Sequence, residues 1–123
     1  MKTAYIEISN LKLDIEFYDS VTAHIVYDQL PLASNVQRWG DELYFDVPII
    51  GVEIEEDARE VMHEGEIGFW VEGSAIAIFF GATPASHAGE PRALVPINAF
   101  AKIVGTSEIL KDIQEGDFIF FAR

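Results

Sequence analysis

Cysteine is absent from the chain, which removes a disulfide framework and any thiolate metal site. Long apolar runs are missing too: stretches such as Ala75 to Phe80 fall far below the roughly 20 residues that carry a helix across a bilayer. The first residues, Met1-Lys2-Thr3-Ala4-Tyr5-Ile6-Glu7, have no unbroken apolar core of the signal-peptide kind. These absences lead us to expect a cytoplasmic protein without a membrane span. Positive charge is scarce as well. Eight Lys plus Arg stand against 21 Asp plus Glu, a formal charge of -13, and such a field repels phosphate backbones, so nucleic acid is excluded as an expected partner. The acidity suits a cationic ligand, a metal ion or a basic partner protein, and it equally suits a soluble, self-repelling surface.

Motifs for metal, phosphate or covalent chemistry are also lacking. His24, His63 and His87 are scattered with no paired ligand spacing. The acidic run Glu53, Glu55, Glu56, Asp57 has neither the spaced ligands nor the central Gly of a calcium loop. Gly65-Glu66-Ile67-Gly68 has no Lys and no following helix to cradle phosphate. Thr83-Pro84-Ala85-Ser86-His87 brings hydroxyls and an imidazole together, but no carboxylate stands at a spacing that completes a triad. No metal, cofactor or catalytic residue is therefore assigned from the sequence.

What is present is the material of a β-rich globule. The chain has 123 residues, half of them apolar and nine of them Phe, the size and hydrophobic supply of one domain over residues 1–123. Ala4 to Ile8 and Leu11 to Phe17 alternate apolar with polar around Ser9-Asn10, the pattern of a hairpin with one buried face. Asp19 or Ser20 is placed to cap a short helix carrying Val21, Ile25 and Leu30, which Pro31 stops. Extended structure is expected from Ser34 to Trp39, over Leu43 to Val47, over Ile67 to Val71 and over Ala75 to Phe80. The acidic stretch from Glu53 to Val61 reads as a connecting arm. Gly81 to Arg92 reads as a loop, Leu94 to Val104 as a strand, Thr106 to Ile113 as one or two helical turns, and Phe118 to Phe121 as a closing strand. Many short strands with two short helices argue for a closed barrel, since closure removes sheet edges.

Three ordered strings carry a family resemblance: Trp39-Gly40-Asp41-Glu42-Leu43-Tyr44-Phe45 with Pro48, Gly65-Glu66-Ile67-Gly68-Phe69-Trp70, and Phe79-Phe80-Gly81-Ala82-Thr83-Pro84-Ala85-Ser86. In these, over nearly its whole length, the chain resembles the cyclophilin-like family of bacterial and archaeal proteins. The resemblance implies a mainly β fold, a closed antiparallel barrel of about eight strands with two short helices, pared down from the peptidyl-prolyl isomerase barrel. It also implies a check on three positions. True cyclophilins carry an Arg on a strand beside aromatics, a Gln two residues before the second Phe of a Phe-Phe pair, and a His before the penultimate strand. Matching places Asp46, Ile78 and Ile97 there. Weakening the resonance of an X-Pro amide, whose rotation barrier is ~20 kcal/mol, calls for a cation near the proline nitrogen; Asp46 has the wrong charge. Arg92, on the long loop, is the remaining basic candidate.

The candidate ligand pocket is accordingly Trp39, Tyr44, Phe45, Trp70, Phe80, Thr83 and Arg92, with aromatics as apolar walls and Thr83 and Arg92 orienting the ligand. The same aromatics also fit a plainer role, with Phe45 and Phe80 as barrel core and Trp39 sealing a strand crossing. Three functions remain open: a binding module for a small molecule or a proline-containing peptide, a weak peptidyl-prolyl isomerase, and an acidic protein-interaction subunit.

Overall fold

The computed structural model describes residues 2–123, and among them run ten β-strands, one α-helix and one 3₁₀ helix. Strands β1 (Thr3–Ile8) and β2 (Leu11–Phe17) form the expected hairpin, turning through Ser9-Asn10. Their alternation puts Ala4, Ile6, Ile8, Leu13, Ile15 and Phe17 on one buried face. Helix α1 (Val21–Gln29) starts where the Ser20 hydroxyl accepts the Ala23 N–H and ends at Leu30, ahead of Pro31.

The chain then lays down β3 (Leu32–Asn35), β4 (Gln37–Trp39), β5 (Glu42–Asp46), β6 (Arg59–Val61), β7 (Glu66–Trp70), β8 (Ala75–Phe79), β9 (Arg92–Ile103) and β10 (Phe118–Ala122). The order across the sheet is β3-β10-β1-β2-β9-β7-β8-β5-β4, with β6 pairing with β9 off this path. The residues read as an arm thus include a short strand. All recorded pairings are antiparallel.

The expected closed barrel is borne out only as far as a mainly β, antiparallel sheet. The edge strands β3 and β4 are consecutive in the chain, with only Val36 between them, and no ladder of hydrogen bonds joins one to the other. Val36 exchanges backbone hydrogen bonds with Asp117 and Gly116, just ahead of β10, as the chain passes from β3 to β4. A strand and its immediate continuation run end to end, so they do not lie side by side and make a ladder. The sheet is therefore mainly β and antiparallel but not closed by hydrogen bonds. The two expected helices also reduce to one α-helix. Residues Glu108–Asp112 form a five-residue 3₁₀ helix whose preceding Ser107 makes no side-chain cap, and so short a segment does not repay α-helix nucleation.

Two apolar clusters flank the sheet. The larger covers one side with Ile6, Ile15, Phe17, Leu43, Phe45, Ile67, Phe69, Ile76, Ile78, Phe80, Phe100 and Phe121, with Val26 from α1 packed into it. The smaller lies on the other side and holds Met62, Ala77, Phe79, Ala93 and Ile97, with Tyr44, Val95 and Ala99 against it. Strand β8 is buried on both faces, which is why its sequence is apolar without alternation.

Candidate functional site

The smaller cluster floors a hollow on the outer face of the sheet. Alternation along β5 sends Leu43 and Phe45 inward and turns Glu42 and Tyr44 outward. On β8, Ile76 and Ile78 go inward while Ala75, Ala77 and Phe79 go outward. The register sets Glu42 opposite Phe79 and Tyr44 opposite Ala77 on one side, and Trp39 opposite Glu42 on the other. Trp70 stands opposite Ala75. Small side chains thus lie beside large rings, and a floor of Ala75, Ala77 and Ala93 sits below walls of Trp39, Tyr44 and Trp70. The half-open space so formed measures about 270 Å³, near the small end for a ligand site.

Trp70 ends β7, and the turn after it fits its ring. A Cβ on Gly73 would lie 2.2 Å from two indole carbons, so only glycine lets the ring rest against that turn. Trp70 keeps 38% of its surface exposed, and Glu72 and Leu94 complete this side of the rim.

Glu42 is the chemically distinctive member. It is only 8% exposed, and among the described residues its carboxyl has no hydrogen-bond or ion-pair partner. Among the described residues no fully enclosed side-chain oxygen or nitrogen is left without a partner, so the Glu42 oxygens reach the open space of the hollow. Burial pushes this carboxyl up to about 8, because the charged form loses water without gaining a counter-charge. No Lys, Arg or His lines the hollow among the described residues.

Of the residues singled out in the sequence, Trp39, Tyr44 and Trp70 meet around this hollow. Phe45 and Phe80 lie across the sheet in the large core, at 0% and 1% exposure, and do not reach it. Thr83 is buried beneath the loop from Gly81 to Pro91, where its Oγ1 donates to the Arg92 carbonyl at 2.5 Å and accepts from the Ala85 N–H. The Arg92 guanidinium is held by Glu90 at 2.7 Å and Glu60 at 3.3 Å, outside the hollow's lining. Glu90 also accepts the N–H groups of His87 and Ala88, and these bonds together with Arg92 hold its carboxyl down at about 2. The loop is thus braced on itself.

Glu42 and Phe79 went unread in the sequence, and one signal for Glu42 existed. Counting back by two from Tyr44 along an alternating strand lands on Glu42. At the positions matched to the isomerase residues, Asp46 is exposed, Ile78 lies in the large core and Ile97 lines the hollow.

A second depression, about 410 Å³, lies where β2 meets α1, bordered by Lys2, Phe17, Tyr18, Asp19, Ala23 and His24. Its polar groups already have partners: Asp19 with His24, Lys2 over the Tyr27 ring, and Tyr18 with Glu66. The acidic arm is likewise engaged, since the Glu55 carboxylate accepts from Thr22 and Asn98 bridges Thr22 to the backbone of residues 53 and 55. Among the described residues no three His, Asp or Glu side chains gather to hold a metal ion. No helix there is long and apolar enough to cross a membrane.

Comparison with curated proteins finds no match. The solution structure of a hypothetical protein from Archaeoglobus fulgidus is similar at a TM-score of 0.81 and 32% identity, covering 98% of this chain and 93% of that one. A family model described as cyclophilin-like matches residues 2–122. Agreement of sequence and fold over almost the entire length places the relationship beyond shared architecture alone: the chain belongs to the cyclophilin-like family.

Proposed function

We propose that the chain is a binding module whose outer hollow takes a small molecule, or the proline-bearing part of a peptide, without turning it over. The observation that carries this reading is the placement of Trp39, Tyr44 and Trp70 as walls over an alanine floor. Large rings standing around an unfilled space supply flat apolar area for a ligand. Fold alone does not fix activity, and charge disfavours isomerisation here. A guanidinium near the proline nitrogen is what that reaction uses, and Arg92, the basic candidate, is occupied by Glu60 and Glu90. The hollow's acidic rim and the net charge of -13 also disfavour nucleic acid as the ligand.

Trp70→Ala tests the site. Binding of fragments detected by saturation-transfer NMR should be lost, while the melting temperature moves by no more than about 5 °C, because the side chain is partly exposed and outside both cores. A variant that unfolds instead would make Trp70 a structural residue and remove it from the site. A protease-coupled assay on proline peptides should show only the spontaneous rate. Acceleration that disappears in Arg92→Ala would replace this reading with the isomerase one.

A further inference from the structure

We propose that the ligand of this hollow is an organic cation, a substituted ammonium with an aromatic or branched apolar body, whose charge meets Glu42 between Trp39 and Phe79 while its body covers the alanine floor toward Trp70. The inference rests on the reading of the hollow as a ligand site and adds the chemical class.

Three observations select that class. Glu42 is nine-tenths buried, its carboxyl is unpartnered among the described residues, and it lines the hollow. A neutral apolar ligand would seal it in without a partner, which is costly. An anion would meet the Glu72 carboxylate and, above about pH 8, a charged Glu42 as well, with no basic group lining the space. A cation satisfies the carboxylate and also finds the ring faces that attract positive charge, which Trp and Tyr provide best. Size agrees: a hollow of about 270 Å³ lies near the small end of ligand sites, which suits a small aromatic ammonium.

Binding is then coupled to a proton. In the empty protein the Glu42 carboxyl holds its proton to about pH 8; on binding, the O–H bond breaks, the proton goes to solvent, and the carboxylate faces the ammonium. The titratable groups facing Glu42 are Tyr44 on its own strand and Glu72 on the β7–β8 turn. The other strands of the lining, β4, β7, β8 and β9, contribute only Trp, Ala, Phe, Leu, Val and Ile side chains to the hollow. Arg38 on β4 is engaged elsewhere, with Asp41 and the carbonyls of Gly40, Lys111 and Ile113.

The test uses benzyltrimethylammonium, a cation that carries no titratable proton, beside benzyl alcohol and N-benzylacetamide as neutral comparators and phenylacetate as the anion. Affinities come from protein-observed NMR titrations on the full chain. The cation should bind at least tenfold more tightly than either neutral compound, phenylacetate should not bind, and shifts should centre on the Trp39 and Trp70 indole N–H groups. Cation affinity should rise about tenfold per pH unit between pH 6 and 7 and level off above pH 8. Glu42→Gln should abolish that pH dependence and cost the cation at least tenfold at pH 8.5, while leaving the neutral compounds unchanged. If Glu42→Gln does not fold, the pH dependence of the native protein still decides. Neutral compounds binding in the hollow as tightly as the cation, or cation binding indifferent to pH, would overturn the cation assignment and leave the binding module standing. If none of the four compounds perturbs the hollow's indoles at millimolar concentration, the cation assignment is overturned, and loss of all fragment binding there would overturn the binding module as well.

Discussion

Glu42→Gln should make the protein more stable at pH 9, by about 2–4 kcal/mol, and leave it nearly unchanged at pH 4. The folded protein raises this carboxyl from an ordinary 4.5 to about 8 through burial. Between those values the native state holds a proton that the unfolded chain has released, so stability falls as pH rises. The contribution is fully present below pH 4.5 and is lost progressively up to about pH 8. Gln mimics the protonated carboxyl in shape and cannot ionise, so the loss should vanish in the variant. The gain is smaller than full linkage would give because the carboxyl oxygens touch the hollow and recover part of their hydration when ionised. Overall self-repulsion from the net charge of -13 also grows with pH, but it acts on both proteins alike. Urea unfolding at pH 4, 7 and 9 separates the two. Parallel pH profiles for native and variant protein would mean that Glu42 titrates as an ordinary surface carboxylate.

Glu66 is expected to behave in the opposite sense. It begins β7 at 3% exposure and gathers two bonds from Arg59, each 2.7 Å, one from the Tyr18 hydroxyl at 2.6 Å and one from the His63 N–H at 2.7 Å. Burial by itself drives its carboxyl up, but these donors outweigh it and hold the group at about 2. The same network raises Tyr18 far above its ordinary range, first through burial and then through the bond to Glu66. In structural terms it ties β6 and the approach to α1 onto the central strand β7. Glu66→Gln should cost about 2–3 kcal/mol at pH 7, below the usual 3–5 for breaking a buried pair, because Arg59 is 38% exposed and turns to water when released. Tyr18→Phe, which removes a single donor, should cost roughly 1 kcal/mol. Since the folded value is depressed, the Glu66 contribution is present above pH 4.5 and fades as pH falls toward 2; the gap between native protein and Glu66→Gln should narrow accordingly at pH 2.5. An unchanged gap at that pH would show that the loss comes from packing and not from the charge.

The two acids also show where the sequence was legible and where it was not. Local patterns carried far: the β1–β2 alternation, the Ser20 cap with its Pro31 stop, the Gly73 turn and the long β9 strand are each set by neighbours within a few residues. The family strings carried the overall architecture. What failed was parity. In Leu43-Tyr44-Phe45 and Ala75 to Phe80, every position is apolar or aromatic, so alternation does not say which ring faces the core. Phe80 was grouped with the site, yet Phe79 is the one that turns outward, one residue away. Glu42 was hidden differently. It follows Gly40-Asp41 and resembles turn polarity, and its burial arises only when β4 and β8 close on either side of it. The junction between β3 and β4 is likewise a long-range property, since Val36 between them bonds to Gly116 and Asp117 far along the chain.

The most direct measurement is an NMR screen of a mixed-charge fragment set against the isotope-labelled full chain, scored by where the shifts fall. Hits should move Trp39, Tyr44 and Trp70 together and leave Tyr18 and His24 at their free positions. Shifts confined to the Phe17–His24 depression, or hits that spare both indoles, would contradict the assignment of the outer hollow as the place where this protein meets its ligand.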